Sequence, residues 1–360
     1  MNIAHVVFSF NTGGIENLIV DLMNNWNEDN LLLCIINDSY NNELLKKIKK
    51  RKNVKIICLN RPIGGKKLKY LKLLGQELKK FGAQVIHCHS NNAFKFCLPL
   101  KLTKYEYKLI LHIHATNIYK KISLIDVMIH KIFAEKIIAI SKSVERDILS
   151  RGVSKSQISL VYNGIDFRKF NSQRDNKSKK NIINIARLVP SIKGQDVLIR
   201  AMDILINKKK QDLNCLLVGG APSEHPEYEQ QIRKEISSYH LNNKVKLLGN
   251  RNNIQDLLCK ADVFILPSRF EGFGLAIIEA MAAKIPVIAT DIEGPKEIIG
   301  NNEYGYLFKK DDYVQLAKII LKVLKQNQEV LTTKAYEYAR NNYSINSMTY
   351  NLKKIYQSCM

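Results

Sequence analysis

The sequence predicts an α/β protein made of two parallel-sheet domains in tandem, on three observations. Short runs of branched apolar residues alternate with amphipathic helical patterns along nearly all of the 360 residues, as in parallel sheets covered by helices on both faces. One stretch, Asn171 to Lys180 (NSQRDNKSKK), carries no apolar side chain and separates two such series, so it reads as a linker. Glycines and polar residues follow several strand runs directly, at the carboxyl ends where open α/β sheets bind their ligands. The expected domains are residues 1–170 and 171–342, with 343–360 as a final helix.

In the first series, Asn2 to Ser9 is an alternating apolar run and the candidate central strand. Phe10 to Gly14 is a turn, and Ile15 to Trp26 an amphipathic helix with Leu18, Ile19, Leu22 and Met23 on one side. Strand, glycine turn and helix start together deliver backbone N–H groups to a phosphate, although this turn is not G-x-G-x-x-G. Further strands are expected at Leu31 to Ile36, Val54 to Leu59, Gln84 to Cys88, Lys108 to Ile113, Lys136 to Ile140 and Ile158 to Val161. Ser141 is placed as a helix N-cap, and Asn163-Gly164 as turn chemistry closing the domain.

Histidines stand at two of these strand ends, in His87-Cys88-His89 and His112-Ile113-His114. A metal site is one reading of them. In a strand, however, His87 and His89 share a face while Cys88 points the other way, so the cluster is not expected to converge on an ion. Structural and acceptor-side roles stay open for His87, His89 and His112.

The second series starts with a strand at Asn181 to Ala186 that runs into Arg187, then LVPSIKGQ and a helix from Asp196. Arg187 and Lys193 are six apart across that turn, near enough for both cations to meet at one strand edge. A leaving nucleoside diphosphate needs such charge when no metal supplies it, and two solvated cations would show the same spacing. Leu213 to Val218 is a strand ending at Gly219-Gly220, and Lys244 to Leu248 leads into Gly249 to Asn253. The most informative stretch is Ala261 to Asp291. Asp262 to Leu266 is a short strand stopped by Pro267, followed by the loop Ser268 to Gly274 and a helix with Leu275, Ile278 and Ala282 on its apolar side. Pro286 opens the next strand, and Gly305 to Phe308 is a last short one.

Glu271 in that loop and Glu279 on that helix have seven residues between them. Their backbones therefore lie about 10 Å apart at the helical rise, too far for an acid and nucleophile whose carboxyls stand roughly 5 Å apart. The spacing suits two grips on one extended ligand. Each carboxylate accepts hydrogen bonds from hydroxyls, while helix-start amides from Gly272 through Phe273 and Gly274 to Leu275 face an anion between them. A sugar, a diphosphate and a ribose in that order satisfy all three.

Glu271-x7-Glu279, in the context S-R-F-E-G-F-G-L-A-I-I-E-A-M-A, resembles the signature of family 4 glycosyltransferases, which are retaining and have the GT-B fold. The resemblance covers nearly the whole chain and is densest from Arg187 to Asp291. It implies two Rossmann-like domains facing a cleft, with a helix in 343–360 crossing back to the first. The first domain would bind the acceptor and the second the nucleotide sugar. Glu271 would hold the transferred sugar and Glu279 the ribose, while Arg187 and Lys193, in R-L-x4-K-G, would bind the diphosphate. His114 matches the family's active-site histidine near the sugar's 6-hydroxyl. Gly14, in Gly13-Gly14-x-Glu16, would face the donor phosphate or the acceptor; Gly219 would border the nucleotide pocket and Arg251 the base. One departure is Glu293, which replaces the first glycine of D-x-G-G-x-x-E and leaves the path of that loop open.

Composition bounds the partners. The chain has 46% hydrophobic and 25% charged residues and lacks an apolar run of membrane-spanning length. Its first residues have no basic segment of signal-peptide type, and seven cysteines without C-x-x-C spacing point to free thiols in the cytoplasm. Of the net charge of +23, residues 1–170 hold about two thirds, with 28 basic and 13 acidic side chains against 28 and 20 in 171–360. The clusters KKIKKRK (46–52) and KKLKYLK (66–72) contribute, and Lys95 to Lys108 mixes basic and apolar residues as a helix lying on an anionic bilayer does. Lysine-rich solvated faces are the alternative. No nucleic-acid-reading motif accompanies the charge. The resemblance implies a reaction that transfers a hexose or N-acetylhexosamine, with retention and without a metal, from a nucleotide sugar (UDP-linked foremost). The acceptor is a lipid-linked or polymeric glycan at the inner membrane face, with an anionic wall polymer of teichoic acid type second. A nucleotide-sugar epimerase, a DNA glucosyltransferase and an inactive binding protein are the rivals.

Overall fold

Runs that are apolar at every position, rather than every second one, become strands buried on both faces. The computed structural model describes residues 1–11, 13–62, 64–65, 67–101, 107–115, 117–170 and 180–360. β1 (Asn2–Val7) and β2 (Asn30–Asn37) are each buried at every position but the first. With β3 (Val54–Arg61), β4 (Val85–Cys88), β5 (Lys108–Ile113), β6 (Lys136–Ala139) and β7 (Ile158–Leu160) they form a seven-stranded sheet in the order β3-β2-β1-β4-β5-β6-β7. All its pairs are parallel. The order reverses between β1 and β4, the kind of junction at which open α/β sheets bind ligands.

The second sheet repeats the plan. β8 (Lys180–Ile185), β9 (Leu213–Val218), β10 (Val245–Gly249), β11 (Val263–Leu266), β12 (Val287–Thr290) and β13 (Tyr306–Phe308) lie in the order β10-β9-β8-β11-β12-β13, again parallel. Its reversal falls between β8 and β11. The chain divides into two compact units, Met1–Asp166 with Tyr343–Met360, and Phe167–Asn342. Both are Rossmann-like, as the GT-B architecture requires.

Each unit has its own core. The second packs Val197, Leu198, Ala201, Met202 and Leu205 of the helical segment 195–208 against Leu213, Cys215 and Leu217 of β9. In the first, Ile345, Met348, Leu352 and Tyr356 of the terminal helix Ile345–Cys359 join Ile19, Leu22, Met23 and Trp26. Ser344 caps that helix by accepting from the Ser347 amide at 3.2 Å, and the Tyr356 ring stacks on Trp26 at 5.7 Å.

One surface reading is overturned. Of the stretch Lys95 to Lys108, nominated for a bilayer, the part in the helix Asn91–Lys101 turns Phe96, Cys97 and Leu100 into the interior. Its lysines are engaged as well: Lys95 pairs with Asp126 at 3.0 Å and Lys101 with Glu135 at 2.8 Å. The mixture of basic and apolar residues reflects a helix whose apolar side meets the sheet, with lysines at its margins. Residues 102–106 of that stretch lie outside the described residues, as do Lys66 and the linker at 171–179. Among the described residues no helix is long and apolar enough to cross a membrane.

Candidate functional site

The switch point of the second sheet gathers most of the nominated side chains. β8 ends beside Arg187, and the chain then makes one helical turn, Pro190–Lys193, before Gly194 and the helix Gln195–Asp203. Gly194 has φ +66, and a Cβ there would sit 2.0 Å from the carbonyl oxygen of Pro267. Only glycine lets the Lys193 turn lie against the end of β11. From that end the loop 267–274 leads to the helix Leu275–Ala282, whose N-cap is Gly274. Across the gap, Lys193 Nζ donates to Glu271 Oε2 at 2.7 Å, and both side chains keep under a fifth of their surface exposed. The residue types expected to meet a diphosphate and a sugar are thus held by one hydrogen bond.

The element that fixes this geometry is Arg269, to which sequence reasoning assigned no role. Its guanidinium donates to both carboxylate oxygens of Asp196 at 2.8 and 2.7 Å, to Asp311 at 2.6 Å and to the Pro190 carbonyl at 2.6 Å. Those bonds to Asp196 and Asp311 raise its already high pKa. The backbone amides of Arg269 and Phe270 also donate to the Ile192 carbonyl, at 2.8 and 3.3 Å. The two loops are therefore laced together on either side of Lys193 and immediately before Glu271. A basic residue two places before Glu271 was the available signal, but its partner lies 73 residues away.

Other nominated positions line the same edge. Gly272, Phe273, Gly274 and Leu275 run from Glu271 into the helix, with Phe273 buried and Glu279 half-buried one turn further. Gly219 ends β9 at φ +128, where a Cβ would approach the Ala186 carbonyl to 2.1 Å and the Arg187 amide to 3.3 Å. Arg187 is exposed at that edge, and Arg251, exposed beyond β10, has no hydrogen-bond or ion-pair partner among the described residues. The loop left open by Glu293 is settled by its neighbour. A Cβ on Gly294 would lie 2.6 Å from the Glu271 carbonyl oxygen and 3.0 Å from the Phe273 amide nitrogen, so the glycine that is kept is the one the packing needs.

The first unit holds the remaining nominees, and here the sequence expectation fails. Register pairs His5 with His87, and His87 with Ile110 two residues before His112, so neighbouring strands turn all their histidines to one face. His5 Nδ1 meets His89 Nε2 at 3.0 Å, His89 Nδ1 meets His114 Nε2 at 3.0 Å, and His87 Nε2 meets His112 Nδ1 at 3.0 Å. His87 Nδ1 also bonds the Tyr356 hydroxyl of the terminal helix. The triplets His5, His87, His89 and His89, His112, His114 each bring a ligand nitrogen from every ring within 4.8 Å, a donor set a transition ion accepts. Convergence comes from across strands, which a single-strand argument cannot see. Among the described residues no carboxylate bonds these rings, so they are built to be neutral. Burial drives His5 and His114 down to about 3 and His87, His89 and His112 well below the ordinary range. His5 Nε2, His112 Nε2 and His114 Nδ1 have no hydrogen-bond partner among the described residues. Gly14, exposed, starts the helix Gly14–Asn25 at the end of the turn after β1.

The family described as Glycosyltransferase Family 4 matches residues 12–169, and that described as Glycosyl transferases group 1 matches residues 166–342. A lipopolysaccharide core biosynthesis mannosyltransferase of Rhizobium meliloti is 25% identical over 56% of this chain and 61% of its own length. A poly(ribitol-phosphate) alpha-N-acetylglucosaminyltransferase of Staphylococcus aureus is 31% identical over 48% of this chain and 33% of its own. The chain thus spans less than two thirds of either relative. A crystal structure of Anabaena HepE in complex with UDP and glucose superposes with a TM-score of 0.84 at 21% identity, covering 99% of this chain and 100% of that one. With matches that meet end to end from residue 12 to residue 342 and two sheets of the same parallel plan, the chain belongs to the family 4 glycosyltransferases of GT-B fold.

Proposed function

We propose that the protein transfers a hexose or N-acetylhexosamine from a nucleotide sugar, UDP-linked foremost, to a glycan acceptor in cell-surface polysaccharide synthesis, with retention of configuration. The observation that carries this reading is the Lys193–Glu271 bond of 2.7 Å at the β8/β11 switch point. It sets a cation for the departing diphosphate beside a carboxylate for the sugar hydroxyls, with Arg187 at the same edge. Glu279, further along the helix, is assigned to the ribose, and the helix-start amides from Gly272 to Leu275 to the phosphates. Gly219 and Arg251 border the nucleoside. In the first unit His114 is assigned to the sugar's 6-hydroxyl and Gly14 to the phosphate or acceptor. The leaving phosphate takes the acceptor's proton in a front-face step.

Cationic side chains take over the charge neutralisation that a divalent ion would supply, so the rate is expected to be the same with EDTA as without it. UDP and glucose occupy the Anabaena structure, which favours a UDP-sugar donor. For the acceptor, the Rhizobium relative's name favours a lipid-borne glycan, and the Staphylococcus relative's name supports poly(ribitol phosphate) as the second reading. The test is thermal stabilisation by UDP-, GDP-, ADP- and CMP-sugars. A UDP-sugar is expected to raise Tm, by RT ln(1 + [L]/Kd) in free energy, with discrimination among sugars blunted in Glu271→Ala. Absence of any stabilisation, together with no sugar transfer to membrane extracts, would overturn the reading.

A further inference from the structure

A contiguous set of exposed apolar side chains lies on one helix of the first unit. In Leu124–Phe133, Leu124 is 72% exposed, Ile125 70%, Met128 60% and Ile132 67%. At the α-helical repeat these four fall within an arc of about 100°, away from the buried Asp126, Val127 and His130. The inner side is pinned. His130 pairs with the Tyr119 hydroxyl at 3.0 Å and with Asn91 Oδ1 at 2.8 Å, and Asp126 accepts from Asn91 at 3.0 Å and Lys95 at 3.2 Å. The helix therefore has no rotation that hides its outer face.

Charge around this face has one sign. Lys120, Lys121 and Lys131 are exposed beside it, Lys120 sharing its charge with Asp147 at 3.1 Å. Between residues 117 and 134 the sole carboxylate is Asp126, which is turned inward. A protein interface bordered by these lysines would need an acidic partner, whereas an anionic bilayer supplies both the apolar and the charged half of the complement.

We propose that this face docks the protein on an anionic membrane, with Leu124, Ile125, Met128 and Ile132 entering the headgroup–acyl boundary and Lys121 and Lys131 meeting lipid phosphates. The helix is tied through His130 to Asn91, which starts the helix after β4, so docking brings that carboxyl edge of the sheet toward the lipid boundary. An acceptor carried on a lipid would present its glycan there. This last step rests on the proposed function; the docking itself does not.

The experiment is cosedimentation with vesicles of phosphatidylcholine alone or mixed with phosphatidylglycerol, at low and high salt. Wild type is expected to bind the mixed vesicles, more weakly as salt rises. In Met128→Glu/Ile132→Glu the partition coefficient should fall at least about tenfold, and in Lys121→Gln or Lys131→Gln about fivefold each. These residues are exposed, so circular dichroism and stabilisation by UDP-sugars should match wild type. Failure of wild type to bind mixed vesicles, or wild-type binding by the double variant, would overturn the proposal. So would light scattering that shows a wild-type dimer turned monomeric by the double variant, which would make the face a self-interface. Absent UDP-sugar stabilisation with intact vesicle binding would count against the proposed function alone.

Discussion

Lys193 and Glu271 make the clearest residue-level test, because they touch each other and are assigned to different parts of one ligand. Lys193→Ala removes the charge nearest the leaving group, and loss of one such electrostatic contact costs about 10²- to 10³-fold in kcat. Glu271→Gln keeps the shape and one acceptor but drops the charge, so it is expected to lose rate with a smaller change in fold stability than in donor discrimination. Both side chains are largely covered, so removing either partner is also expected to lower the unfolding free energy, by about 1–3 kcal/mol. Initial rates with a radiolabelled donor, beside urea midpoints, check both statements. Wild-type turnover in either variant removes the pair from the site.

At the scale of the element, the loop 267–274 is only as well placed as Arg269 makes it. Arg269→Lys retains the charge but cannot reproduce the fork that reaches both oxygens of Asp196 and also Asp311. Loss of two charge-assisted bonds at a largely covered site is expected to cost about 2 kcal/mol. It should also raise KM for the donor, because Glu271 is carried on the same loop. Unfolding by urea and donor titration read the two effects separately. This element also marks where sequence reading stops. Glu271 and Glu279 could be nominated together because their spacing is local in the sequence. Strands were legible to within a residue or two, since branched apolar runs bounded by glycine, proline or polar residues leave little choice. Neither the Arg269–Asp196 clamp nor His5 joining His87 could be read, because both depend on which strands become neighbours. The stretch Lys95 to Lys108 is ambiguous for a related reason: apolar residues between lysines fit a lipid face and a sheet face equally well until the sheet is in place.

At the scale of the whole molecule, the layer of neutral histidines couples folding of the first unit to pH. His5 is fully buried and held at about 3 against an ordinary value of 6.5, so between those limits the unfolded chain binds a proton that the folded chain refuses. Stability therefore rises with pH across this window and is lost as pH falls below about 6.5. His87, His89, His112 and His114 shift the same way, and rings 3.0 Å apart titrate as a set rather than singly. Ordinary carboxylates titrate lower, so the interval from pH 7 to pH 5 isolates the imidazoles. Calorimetry is expected to show an unfolding transition moving steeply to lower temperature over that interval. His5→Gln removes one titrating ring at the end of the chain His5–His89–His114 and should flatten the slope of that transition. A wild-type profile unchanged between pH 7 and pH 5 would show that these rings take up protons in the folded state, and with that the neutral layer beside His114 would be lost as a feature of the site.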